Sequence, residues 1–152
     1  MSFYYIRFFY LLLLKLELEC KYTVFSYWNV KFNQNEHEDE MRRTAIMEAA
    51  LLGCDEIIEE LLRYRASVFR IDRVNNTALH LAAANGHLST VQLLVQQEIP
   101  IDFVNKTKYT ALMLAAQGGH LEVVKYLIEK GSFIHKRGRN RETALTLACS
   151  QV

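Results

Sequence analysis

From residue 41 onward, apolar positions fall in short runs at i, i+3 and i+4, broken by polar residues and glycines. Leu79, Ala82 and Ala83 share one helical face. After Gly86, Val91, Leu94 and Val95 make a second face, and after Gly119, Val124, Leu127 and Ile128 repeat it. This predicts paired short helices. First helices are expected near 44–52, 77–85, 110–118 and 143–150, and second helices near 55–64, 88–97 and 121–130. The stretches 66–76, 99–109 and 132–142 read as projecting hairpin loops, here called fingers. Ahead of residue 41 the pattern differs. Phe3–Leu14 is almost wholly apolar, broken only by Arg7, and Tyr22–Phe32 is rich in strand formers, which suits one short strand or hairpin. The polar run at 33–40 marks a boundary, giving an N-terminal extension at 1–40 and a second segment at 41–152.

That second segment repeats itself. Thr44-Ala45-Ile46-Met47, Thr77-Ala78-Leu79-His80, Thr110-Ala111-Leu112-Met113 and Thr143-Ala144-Leu145-Thr146 recur every 33 residues. Ala49, Ala82, Ala115 and Ala148 keep the register, as do Gly53, Gly86 and Gly119, and Leu61, Leu94 and Leu127. Between Thr77–Glu98 and Thr110–Gly131, eleven of 22 positions are identical, too many for coincidence. A 33-residue period carrying Thr-x-Leu-His-x-Ala resembles the ankyrin-repeat family. The resemblance covers residues 41–152 and implies an all-α solenoid: three full repeats plus a fourth that stops at Val152, before its turn glycine and second helix.

The residues suit such a fold. Thr can cap a helix N-terminus. The following position is Pro in the family and Ala here (Ala45, Ala78, Ala111, Ala144), so the helix should survive with a less rigid start. Gly86 and Gly119 suit a tight turn between paired helices. One unit alone leaves its apolar faces open, so stacking buries the core, and Leu145, Leu147 and Ala148 should lack a layer of cover. Other departures bear on the loops. The family's glycine after the second helix survives only as Gly131, with Arg65 and Glu98 at the earlier positions. The finger glycine is replaced by Asn75, Lys108 and Arg141. Asn tolerates left-handed backbone better than Lys or Arg, so the second and third fingers are expected to be looser or reshaped.

Composition narrows the function. With 18 Lys+Arg against 17 Asp+Glu, the net charge is +1, which argues against a globally basic nucleic-acid binder. The extension carries −2 and the repeats +3. The twelve residues of Phe3–Leu14 reach about 18 Å as a helix, short of the roughly 30 Å of a bilayer core. A signal peptide fits that stretch better than a span, yet no small-x-small cleavage site follows. A segment packed on the first repeat and a membrane-surface anchor through residues 3–14 remain the alternatives. Cys20, Cys54 and Cys149 are odd in number, far apart and without a CxxC pair. That argues against a disulfide framework or zinc site and favours cytoplasm or nucleus.

Catalytic motifs are missing: no GxSxG, P-loop, GxGxxG or HExxH occurs, and nothing calls for a cofactor, metal or small-molecule substrate. His80, His87 and His120 sit at fixed repeat positions, where His80 should bridge turns and the others should join helix pairs. Glu38, Asp39 and Glu40 read as a solvated linker. One concentrated basic run, His135 to Arg141, lies on the third finger. It reads as a solvated loop, or as a docking point for an acidic protein, a phosphate-bearing ligand or the import machinery. The family resemblance implies recognition through finger tips and the exposed side of the first helices. The matching positions are Arg73, Val74, Asn76, Ala84 and Asn85; then Lys106, Thr107, Tyr109, Gln117 and Gly118; then Arg139, Asn140 and Glu142. Tyr109 and the arginines are the expected hot spots. The implied function is non-catalytic binding of a protein partner through a concave face. The alternative is a regulatory repeat protein anchored at a membrane surface by its apolar N-terminal segment.

Overall fold

The computed structural model describes residues 41–63 and 65–150. The readings made on residues 1–40, including the apolar stretch and the strand or hairpin at 22–32, lie outside the described residues.

Among the described residues seven helices follow one another: α1 (Ala45–Leu52), α2 (Asp55–Arg63), α3 (Ala78–Ala84), α4 (Leu88–Val95), α5 (Ala111–Gln117), α6 (Leu121–Glu129) and α7 (Ala144–Cys149). No strand occurs among the described residues. Each first helix starts at the alanine that follows the repeat threonine. All four threonines are extended, with ψ between 165° and 170°. The hydroxyls of Thr110 and Thr143 accept from the N–H groups of Met113 and Thr146 at 3.3 and 3.4 Å. The missing proline therefore does not delay helix onset.

The helices form two layers. α1, α3, α5 and α7 stack side by side in one layer, and α2, α4 and α6 in the other, each pair packing within its own repeat. Small residues permit the close approach: Ala49, Ala82 and Ala115 are all buried at the first-helix contacts. Larger side chains fill the space between layers. Leu79, Leu112, Ile58, Val91, Leu94 and Leu127 are each almost completely buried, and burying a side chain of that size contributes roughly 1.5–3 kcal/mol. The Asp55 carboxylate of α2 accepts from the Thr90 hydroxyl of α4, tying the second-helix layer together.

Two sequence expectations change here. On α6 the buried pair is Val123 and Leu127, while Ile128 is 46% exposed. Ile128 lies on the side of the helix that the stack does not cover. Leu145 is likewise exposed, as expected, but Leu147 is buried. Cys54 is buried just before α2.

The fingers are not reshaped. Asn75, Lys108 and Arg141 all adopt left-handed backbone, with φ of 62°, 61° and 68°. Arg65 and Glu98 do the same after α2 and α4, with φ of 57° and 58°. Repeat geometry overrides residue preference, at a cost of roughly 1–2 kcal/mol for each non-glycine residue so held. No helix among the described residues is long and apolar enough to cross a membrane.

Candidate functional site

The three histidines are structural. The His80 Nδ1 accepts from the Thr77 hydroxyl at 2.9 Å and faces the Thr77 N–H at 3.3 Å. Its Nε2 donates to the Tyr109 carbonyl of the next finger at 3.1 Å, and Phe103 packs edge-on against the ring. The acceptor role of Nδ1 fixes the neutral Nε2–H tautomer. Burial holds the His80 pKa below its ordinary value, although the Tyr109 and Phe103 carbonyls and the Asp72 charge pull it up.

His87 and His120 reach backward instead. The Nε2 of His87 donates to the Leu51 carbonyl at 3.0 Å, and that of His120 to the Ala84 carbonyl at 2.9 Å. Each ring also lies over the turn glycine of the preceding repeat. A Cβ on Gly53 would meet the His87 ring, and one on Gly86 the His120 ring, both inside contact distance. These contacts join neighbouring repeats. Among the described residues no three His, Cys, Asp or Glu side chains are grouped to hold a metal ion.

The fingers are built on one device used three times. In the first finger the Asp72 carboxylate accepts from the N–H groups of Val74 and Asn76 at 2.9 and 2.7 Å. In the second, the Asn105 side-chain oxygen accepts from Thr107 and Tyr109 at 3.0 and 2.9 Å. The aligned residue in the third finger is Gly138, and there the carboxylate comes from the other end: Glu142 accepts from the Asn140 N–H at 2.9 Å. Glycine is required because the Tyr109 ring lies where a side chain at 138 would project. The Tyr109 hydroxyl in turn donates to Glu142 at 3.1 Å. Burial, then the hydrogen bond to Glu142, raises the pKa of Tyr109. Hydrogen bonding, its own backbone N–H first, holds that of Glu142 low. Sequence reasoning missed this clamp. The signal was present as Asp72 and Asn105, each five residues before a repeat threonine.

Successive fingers are stitched by backbone bonds in one register. Arg73 donates to the Met41 carbonyl at 2.8 Å, Lys106 to Val74 at 2.9 Å and Arg139 to Thr107 at 3.0 Å. The Asn105 amide adds a side-chain link to Asn76 at 3.0 Å.

The predicted binding residues therefore divide. Arg73, Val74, Lys106, Thr107, Arg139 and Asn140 are exposed on the finger tips, and Asn85, Gln117 and Gly118 are exposed at the ends of α3 and α5. Asn76, Ala84, Tyr109 and Glu142 are half-buried. Of these, Asn76, Tyr109 and Glu142 spend their polar groups on the finger network described above.

Charge is segregated along the same lines. The fingers carry Arg70, Arg73, Lys106, Lys108, Lys136, Arg137, Arg139 and Arg141 against Asp72, Asp102 and Glu142, a net +5. All three of those carboxylates are engaged internally; Asp102, for one, accepts from the Ser132 hydroxyl and the Phe133 N–H at 2.8 and 3.0 Å. The second-helix segments 54–65, 87–98 and 120–131 hold Asp55, Glu56, Glu59, Glu60, Glu98, Glu122 and Glu129 against Arg63, Arg65, Lys125 and Lys130, a net −3.

No curated protein matches the chain. The family profile described as Ankyrin repeats (3 copies) matches residues 16–105 and 97–151, thus taking in part of the segment placed ahead of the first clear copy. Two stacked helix layers, a 33-residue register kept in every turn, and a match over most of its length leave one assignment: the chain belongs to the ankyrin-repeat family.

Proposed function

We propose that residues 41–152 form a non-catalytic module that binds a protein partner through the finger tips and the exposed ends of its first helices. Ankyrin repeats are typically protein–protein interaction modules and generally non-catalytic. The observation that carries the reading is a division of labour. The histidines and the finger carboxylates described above are committed to bracing fingers and joining repeats, while residues at the finger tips and at the ends of α3 and α5 face solvent. Exposed arginines on a rigid scaffold are the chemistry of protein contact. Cytoplasm or nucleus is the compartment we favour, because the three cysteines are odd in number, far apart in the chain and without a CxxC pair.

The test compares the full chain with an Asn85→Tyr, Gln117→Tyr variant as bait in crosslinking and mass spectrometry. Both residues are exposed, so the fold should be kept, as circular dichroism will show. Proteins crosslinked to wild type and lost from the variant support the surface. An unchanged crosslink set removes the ends of α3 and α5 from the site.

A further inference from the structure

We infer that the finger tips form a cationic ridge that selects an acidic, extended segment of a partner protein; this rests on the proposed function and adds the chemistry of the partner. Arg73, Lys106 and Arg139 occupy the same position in three successive fingers; the Arg73 N–H is held by the Met41 carbonyl, and those of Lys106 and Arg139 by the finger before. Lys108 and Arg141 add a second row. All five are exposed, and none makes an ion pair among the described residues. The acids that could neutralise them, Asp72, Asp102 and Glu142, are turned into the finger network instead.

Lys108 and Arg141 hold left-handed conformations in which glycine is unstrained and a long side chain is not, as Arg65 and Glu98 do elsewhere in the array. They set two further exposed charges beside the first row.

The spacing suits a peptide. Repeats whose helices pack side by side are about 8–10 Å apart. In an extended polyproline II segment, with three residues per turn and about 3.1 Å per residue, every third side chain returns to the same face about 9 Å further on. A carboxylate at every third position would then meet successive cations. Single-stranded nucleic acid is the competing occupant, since the fingers also expose Phe69 and Phe133, and the test below separates the two.

The probe is a fluorescent peptide with glutamate at every third position and serine between, titrated into the full chain by anisotropy. Affinity should fall steeply between about 0.05 and about 0.5 M salt as the screening length shrinks. The decisive variant is Lys108→Gly with Arg141→Gly. It removes two charges and also relieves backbone strain, so it should weaken the peptide about tenfold while leaving the melting temperature equal or higher. Loss of affinity therefore cannot be attributed to unfolding. The Asn85→Tyr, Gln117→Tyr variant should bind the peptide unchanged. The inference is overturned if the glycine variant binds the peptide as tightly as wild type, if the peptide does not bind at low salt, or if a single-stranded oligonucleotide of equal charge binds as well or better. In any of those cases, crosslinks that depend on Asn85 and Gln117 would still stand, so the two readings fail separately.

Discussion

Gly86→Ala and Gly119→Ala look like the same substitution and should not behave alike. Both glycines sit in the turn between paired helices with nearly equal backbone, φ of 76° and 72°. A Cβ at Gly119 meets nothing within 4 Å, whereas one at Gly86 strikes the His120 ring. At Gly119 the cost is left-handed strain of about 1–2 kcal/mol, partly offset by the lower entropy of the unfolded chain, about 0.4–1 kcal/mol. A net loss of about 1 kcal/mol follows. At Gly86 the ring must also move, which breaks its hydrogen bond to the Ala84 carbonyl. Leaving such a group unpaired costs about 1–3 kcal/mol more. Gly86→Ala should therefore lose about 2–4 kcal/mol in all, and for a domain of this size each kcal/mol moves the melting temperature by about 4 °C. Urea unfolding of the two single variants, of His120→Ala and of Gly86→Ala with His120→Ala completes the cycle. Without the ring, Gly86→Ala should cost only as much as Gly119→Ala, leaving a coupling of about 1–3 kcal/mol. Equal losses at the two glycines, or an undiminished loss at Gly86 once His120 is gone, would refute the reasoning.

Four further outcomes are expected. Ala45→Pro and Ala144→Pro should each stabilise by about 0.5–1 kcal/mol, read as a rise in the urea midpoint, because the preceding threonines are already extended and the first helical N–H needs no partner. Leu112→Ala should lose about 2–5 kcal/mol by leaving a cavity in the first-helix layer, measured by the same method. His80 has its folded pKa held below the ordinary 6.5, so the unfolded chain binds the proton more readily. Stability should be fully present above about pH 6.5 and fall as the pH drops below it, and His80→Met, the residue found at Met47 and Met113, should flatten that slope in melts from pH 7.5 to 5.5. Gly138→Ala should displace the Tyr109 ring, seen as a change in near-ultraviolet circular dichroism, while the helical signal stays constant.

The period of the helices was legible because burial imposes it: Leu79 and Leu112 must meet the same neighbour in each copy, so the same residue returns every 33 positions. Helix starts were legible from the threonines for the same reason. What could not be read was where local preference yields to the array. Lys108 and Arg141 look like poor left-handed residues in isolation, and only the bonds made by neighbouring fingers hold them there. The exchange of Gly138 for an aspartate or asparagine, with Glu142 taking over, depends on Tyr109 one repeat earlier and is invisible to any local rule. Burial on α6 was misassigned, Val124 and Ile128 for Val123, because the sequence says which residues are apolar but not which side of a helix meets a neighbour. The exposed tip residues were reached through the family resemblance, since solvent leaves no periodic mark on them.

The backward reach of His87 and His120 also sets an order of events during synthesis. The turn at Gly53 is closed by a ring 34 residues further along the chain, and so is the turn at Gly86. Each unit leaving the ribosome waits for the next to emerge before its own corner is secured. At about 5–20 residues per second, that wait is about 2–7 seconds per unit. The newest unit is then always the least finished one, and a pause in translation would hold an open corner, with its apolar neighbours, at the tunnel exit. Holding the chain once α4 has emerged but before His120 has should therefore expose α3 and α4 to chaperones for longer, whereas a pause after His120 has left the tunnel should find that corner already closed.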